Sequence, residues 1–517
     1  MRVQRTIATI AVVGLLVTAC ATHEAAIECA NEVFPPTSGT VVHVAACGTD
    51  GNDGSAARPL RTLAAATGRV QPGQTIAVAA GTYAESVTLP AGVTLAGSAV
   101  VLAPSASFGI RIPSGSSPTF TTISGISISG AQGFAIGSAA TSLDLRDVSI
   151  HGTQVDSSGK GGHGVEIHGA AQVTISGVDI RDNSGVGIVT FGCGSVSILD
   201  PSFLPNPLLQ PRNGQNVGVD PAWKPVSIIA KNAGGGVAFL RKDGSAVGIL
   251  DPSFLVGGVW INQNGVFGVG SWGVPGSVSR SAVTGTVADA KGAFGLGIFV
   301  NNPDATVTQA EVDAGCVVAN HAQTGVFVAG ASSARVAASV SGNLRGGAWA
   351  QGAAAGLEVQ AAALFSGNTW LGIGVAQGAQ LQVAAATVRQ TAVLEWVPPA
   401  GGLAGPIADG IGIFDGAHAT LTGTILQENA RAGLVAHNPA VTTNGFADVT
   451  LHNVQVTASD LGLALTQESK QKVPTSWQDG VQFQTVKTTL DAAAKIAVTS
   501  SACLTAQCLP DLTNAAP

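Results

Sequence analysis

Charge is what this 517-residue sequence has least of: Asp, Glu, Lys and Arg make up 11% of it, against about 25% in ordinary globular proteins. Disorder needs high charge with low hydrophobicity, and nucleic-acid binding needs a basic excess. With 45% hydrophobic residues and a net charge of −7, neither class applies. The initiator is the only Met, and helical periodicity is missing until a weak stretch near Leu490, which excludes a helical body. No Cys/His spacing has the form of a zinc site, no segment carries the clustered carboxylates of a calcium site, and no cofactor is implied. No apolar run beyond residue 20 is long enough to cross a bilayer as a helix. Gly, Ala and Val abound instead, a composition that suits close-stacked strands joined by tight turns.

The chain begins with Arg2 and Arg5, an apolar stretch from Ile7 to Val17, and then Val17-Thr18-Ala19-Cys20. A basic start, a short apolar core and small residues before a cut site describe an export signal. The tetrapeptide resembles a bacterial lipobox, which implies that residues 1–19 are removed and that Cys20 carries the lipid. In signals of that kind Ala21, rather than Asp, after the cysteine points to the outer membrane. Acyl chains contribute about 0.8 kcal/mol per buried CH₂, so two or more anchor a protein stably without a transmembrane helix. Residues 20–39 then serve as a linker. Six further cysteines remain: Cys29, Cys47, Cys193, Cys316, Cys503 and Cys508. An even number in an exported chain permits disulfides; Cys503 with Cys508 is the expected local bridge, and the pairing of the other four stays open.

From about Thr75 onward period-two patterns dominate, and one phrase recurs: an apolar strand, an Asn, three residues, a Gly, then an alternating strand. It occurs at Asn183/Gly187, Asn232/Gly236, Asn264/Gly268, Asn343/Gly347, Asn368/Gly372 and Asn429/Gly433, always at an offset of four; Asn320 with Gly325 is a near miss at five. Asn320 to Asn343 is 23 residues and Asn343 to Asn368 is 25, with room for three short strands per repeat. A single such coil cannot bury its apolar residues, so coils must stack, with like positions about 4.8 Å apart. The fold class read from this is all-β: a right-handed parallel β-helix spanning 98–467. Asn is expected to hydrogen-bond along the stack and to occupy the left-handed bend itself, and Gly to supply turn conformations that other residues resist.

From His43 the sequence runs HVAACGTDGNDGSAARPLRTLAAATGRVQPGQTIAVAAGTYAESVTLPAGVTLAG. This segment resembles the opening of pectate-lyase-like β-helix proteins, of the DUF1565 type, which implies a first coil and an N-terminal cap over 40–97. Pro59 is expected to start a capping helix, with Leu60, Leu63 and Ala66 on the face that plugs the stack. Residues 468–517 are read as a C-terminal cap or tail. The fold hosts lyases, hydrolases, esterases and adhesins alike, so it does not name an activity.

Candidate chemistry lies where outward positions carry charge. Alternation turns Val165 and Ile167 inward and Glu166 and His168 outward, and likewise Val178 and Ile180 inward and Asp179 and Arg181 outward. Aligning LDLRDVSIH with VTISGVDIR sets His151 in register with Arg181. Carboxylate, imidazole and guanidinium on one face would suit proton abstraction beside a uronic acid, or acid/base hydrolysis; a solvated edge of the coil is the alternative. Gly162-His163-Gly164 resembles one motif of polygalacturonase-like glycosidases, which adds His163, but the other elements of that family are missing. Gly81-Thr82-Tyr83-Ala84-Glu85 is similar to a pectin-esterase motif lacking its partners, so Tyr83 and Glu85 are assigned to the cap.

ILDPSFL occurs twice, ending at Leu204 and Leu255. Asp-Pro starts turns, and the Pro-rich stretch that follows the first copy cannot be a central strand, so excursions are expected near 199–225 and 394–410. Asp200, Phe203, Asp251 and Phe254 offer an aromatic and acidic shelf for a sugar chain; alternatively the rings tuck against the coil. Two functions follow: an outer-membrane surface lipoprotein that binds polysaccharide or acts in adhesion, with Arg181 as partner of an anionic sugar, or a polysaccharide lyase or hydrolase. The expected partners are a polysaccharide and, through the lipid, a membrane.

Overall fold

In the computed structural model the period-two runs form the strands of a parallel β-helix. The structure describes Cys29 and residues 31–200, 226–241 and 252–466, with interruptions at 105–107, 116, 305–306, 397–404, 438–439, 441–446, 458 and 460, and beyond these only the strands Phe483–Val486, Thr489–Leu490 and Ile496–Thr499. Two compact units are present, Met1–Val173 and Thr174–Pro517. Among the described residues no helix is long and apolar enough to cross a membrane.

In the second unit each coil lays down three strands in turn, for example Ser332–Val336, Ser339–Ser341 and Ala348–Gln351. Each pairs in parallel with its counterpart one coil on, as Arg335 with Glu358, Val340 with Phe365 and Trp349 with Gly374. We call the three strand stacks the first, second and third faces. Parallel strands in one sheet need right-handed connections, which sets the hand of the coil. Strict alternation sorts the side chains: in Thr308–Val312, Thr308, Ala310 and Val312 are buried while Gln309 and Glu311 are exposed. Stacked Val, Ile and Leu positions thus supply a continuous core that no single coil possesses.

The repeated asparagines form a column at the corner between the second and third faces. Asn183 Nδ2 donates to Asn232 Oδ1 at 2.8 Å, Asn232 Nδ2 to Asn264 Oδ1 at 2.9 Å, and Asn343 Nδ2 to Asn368 Oδ1 at 2.8 Å, while Thr391 Oγ1 donates to Asn429 Oδ1 at 2.8 Å. Coils lacking the asparagine fill the corner with Thr286, His321 and Thr391, all buried. The backbone N–H of His321 donates to Asn343 Oδ1 at 3.1 Å. His321, four residues before Gly325, is the rung there, not Asn320.

Two local expectations are corrected. The left-handed residue is the one before each rung: Asp182, Lys231, Gln263, Asn320, Gln390 and Glu428 have φ between 52° and 61°, and Gly342 and Gly367 do the same work at 66° and 62°. The rung itself must aim its side chain into the stack, so the bend is made one residue earlier. Nor do the paired glycines serve as turns with positive φ. A Cβ on Gly347 would lie 2.5 Å from the Gly372 carbonyl oxygen and 2.8 Å from Asn368 Nδ2, and one on Gly325 2.7 Å from the Gly347 oxygen. They are glycine because the next coil presses against them.

In the first unit, strands Val41–Val44, Thr75–Val78 and the start of Thr94–Leu102 stack in register. The cap helix is short, Leu63–Thr67, and begins at Thr62, not Pro59: Thr62 Oγ1 accepts from Ala65 N, and the Glu85 carboxylate accepts the N–H groups of Leu63 and Ala64, both at 3.0 Å. Leu60, Leu63 and Ala66 are fully buried beneath it. In the GTDGNDG stretch Asp50 Oδ1 accepts from Arg61 and Thr62, and Asn52 Nδ2 donates to the Pro59 carbonyl. Cys29 is bonded to Cys47, and Cys193 and Cys316 are buried. Cys20, Cys503 and Cys508 lie outside the described residues.

Candidate functional site

His151, Glu166 and His168 were expected on one face, and the structure separates them. His151 ends the strand Ser149–His151, in register with Ser129, whereas Glu166 and His168 sit on His163–His168, a third-face strand in the other sheet, with Glu166 beside Gly137. Alternation on each strand does hold, since Val165 and Ile167 are fully buried and Glu166 and His168 are not. His168 Nε2 lies 2.8 Å from Glu166 Oε1, and that hydrogen bond holds the Glu166 carboxyl below its usual range. Burial lowers the His163 imidazole, so it stays neutral more readily than a free histidine. His151 Nε2 lies 2.5 Å from Ser149 Oγ.

Asp179 and Arg181 belong to the second unit and spend their charges on each other. Arg181 Nε donates to Asp179 Oδ1 at 2.7 Å and Nη2 to Oδ2, so the fork proposed for a sugar carboxylate is already filled. Asp200 is not a sugar contact either: it is 3% exposed and accepts the N–H groups of Val226 and Ser227 at 2.7 and 3.2 Å. Phe254 lies on the first-face strand Ser253–Gly257 rather than on an excursion, and its ring stacks inside the coil on Phe239 at 4.2 Å. Phe203 and Asp251 lie outside the described residues, as do 201–225. The second excursion begins and ends as an antiparallel pair, with Leu394 opposite Ile407 and Trp396 opposite Gly405.

Alternation reveals two contrasting outer surfaces on the second unit that were not recognised in the sequence. The outward positions of the third face are aromatic and closed. Phe299, Phe327, Trp349 and Phe414 are 1–4% exposed although their neighbours in the strand point into the coil. Their rings lie flat because glycines give them room: a Cβ on Gly374 would fall 2.2 Å from the Trp349 ring, and one on Gly412 2.4 Å from Phe414. The first face is open and polar. Glu311, Arg335, Glu358, Gln382 and Thr420 occupy one row in five successive coils. Gln382 and Thr420 are exposed, and Arg335 Nε donates to Glu358 Oε2 at 3.2 Å. The spacings from 335 to 358 and from 358 to 382, 23 and 24 residues, match the asparagine period and would have revealed the row. Asp409, fully buried, is held by Arg431, with Arg431 Nε donating to Asp409 Oδ1 at 2.7 Å.

Among the described residues no three His, Cys, Asp or Glu side chains converge as a metal site. The chain is a right-handed parallel β-helix protein. Residues 46–201 match a family described as "Protein of unknown function (DUF1565)". Similar solved structures include the pectate lyase Pel9A, at 11% identity over 90% of this chain and 78% of that one with a TM-score of 0.25, and a mannuronic acid specific family 6 polysaccharide lyase from human gut microbiota, at 9% identity over 87% and 90% with a TM-score of 0.29. A third is a GH136 lacto-N-biosidase from Eubacterium ramulus, at 9% identity over 90% and 67% with a TM-score of 0.20. Curated proteins provide no match to the sequence.

Proposed function

We propose that this is an exported protein, anchored through lipid on Cys20 at the outer membrane, whose coil binds a neutral polysaccharide along the first face of the second unit. The observation that carries this is the open row Glu311, Arg335, Glu358, Gln382 and Thr420. Carboxylates, an amide and a hydroxyl at intervals of about 4.8 Å offer hydrogen bonds to a hydroxyl-rich chain lying along the coil. The charge pattern selects the class of sugar. Arg181 and Arg431 each hold a carboxylate of this chain through two nitrogens, and Arg146 and Arg335 through one, so their charges are partnered before a uronate arrives, and the net charge of −7 repels a polyanion. This replaces the anionic sugar expected at Arg181.

The test is retention of the full mature chain on neutral and acidic glycans. Gln382→Ala combined with Glu358→Gln should weaken retention on a neutral glycan by about tenfold, equal to 1.4 kcal/mol, the scale of one or two hydrogen bonds. Arg181→Ala should leave it unchanged. Preferential retention on acidic glycans, with loss in Arg181→Ala, would overturn the reading. Cys20→Ser should release the protein from membranes or block its processing, and processed protein that stays membrane-bound would refute the anchor.

A further inference from the structure

At the C-terminal end of the open first face, Gln380, His418 and Asp448 follow one another in three successive coils. Gln380 stands opposite His418, and Asp448 is brought beside it by the register that pairs Ala419 with Val449. His418 Nδ1 lies 2.5 Å from Asp448 Oδ2, with side-chain exposures of 44% and 41%. A carboxylate can only accept from a neutral imidazole, so Nδ1 carries the hydrogen and Nε2 keeps its lone pair. This is the base-and-orienter arrangement of a general base, and the amides of Gln380 and Gln382, both exposed, are the nearest outward donors on the preceding strand.

We infer that His418 and Asp448 form a hydrolytic centre for O-acyl esters carried by the polysaccharide. The choice of substrate rests on the neutral-glycan reading above, because a neutral sugar presents acyl esters on its hydroxyls. In the step, His418 Nε2 removes a proton from water as the water oxygen attacks the acyl carbon. The carbonyl electrons move to oxygen, which the Gln380 or Gln382 amide stabilises by donating an N–H. Collapse breaks the bond from the acyl carbon to the sugar oxygen, and the imidazolium returns its proton to that oxygen, giving a free carboxylic acid and a free hydroxyl. No oxidant, metal or cofactor enters the balance. Asp448 fixes the imidazole's tautomer and stabilises its charged form.

The experiment offers the full mature protein O-acetylated xylan, the same xylan after deacetylation, and 4-nitrophenyl acetate. It measures released acetate or nitrophenol, and separately retention on each xylan. The wild type should release acetate from the acetylated xylan. His418→Gln should lower the rate of release by about 10²-fold or more, the usual contribution of a general base, and Asp448→Asn by at least about tenfold, with unchanged urea midpoints showing that both variants fold. Retention of both xylans without acetate release would overturn the ester proposal and leave glycan binding standing. If neither xylan is retained, the glycan reading fails. Nitrophenyl acetate turnover then decides the dyad: loss of turnover in His418→Gln supports it, and turnover indifferent to the substitution refutes it.

Discussion

His321 is an imidazole wholly withdrawn from water. It fills an asparagine position in the corner column, fully buried, with Nε2–H donating to the Val283 carbonyl at 3.0 Å and Nδ1 accepting from Thr286 N at 3.2 Å. Burial lowers its pKa from 6.5 to about 3. In the unfolded chain the imidazole takes up a proton below 6.5, whereas in the coil it stays neutral until about 3. Its contribution is therefore fully present above 6.5 and is lost as pH falls toward 3, by up to about 1.4 kcal/mol per pH unit. His437, lowered by burial to about 4, acts in the same direction. Urea unfolding at pH 7 and pH 5 should show less acid destabilisation in His321→Asn, which restores the residue used at six other rungs. An unchanged pH dependence would remove His321 from this role.

For the strands and corners, spacing between coils matters more than backbone propensity. The third-face strands begin at glycines whose missing Cβ atoms let the next coil close in. Gly347→Ala should cost about 2–3 kcal/mol, because the added methyl meets backbone that cannot move away. Gly292→Ala should cost only about 1 kcal/mol: with φ at 73° and nothing within 4 Å, it suffers backbone strain alone. The difference reads directly as unequal shifts of the urea midpoint, and equal shifts would show that the coils separate to admit the methyl. The same economy of space explains the flat rings of Trp349 and Phe414 over Gly374 and Gly412, and why those rings are closed off while the first face stays wet.

For the molecule as a whole, scarcity of charge becomes a statement about partners. Among the described residues Arg58, Arg146, Arg181, Arg335 and Arg431 each pair with a carboxylate of the chain, whose net charge is −7. Retention of a neutral glycan should then change less than twofold between low salt and about 1 M, where screening shortens electrostatic reach to about 3 Å. A steep loss with salt would mean that ion pairs carry the recognition, contrary to the arrangement of the first face. The cap answers a different whole-molecule need. Leu60, Leu63 and Ala66 cover the first coil, with Glu85 tying the helix start to it.

The amino-acid order alone determined the coil. A period of two sorted inward from outward residues, and Asn held four residues from Gly named the corner, because stacking repeats one local environment many times. The cap face of Leu60, Leu63 and Ala66 was legible for the same reason, being local. What lay beyond reach was whatever depends on which side chain of another coil stands alongside. The pairing of Arg181 with Asp179 spans two residues on one strand, yet alternation told only that both point outward, not that they close on each other. His418 and Asp448 are 30 residues apart across an insertion, and only the register between strands makes them neighbours. Beside Asp-Pro, Phe254 suits either a sugar shelf or a ring tucked against the coil, and only the stacking of strand Ser253–Gly257 decides for a ring turned inward onto Phe239. Period fixes direction within a strand; partners across coils are fixed by the length of each insertion, which the repeat does not encode and the tertiary structure decides.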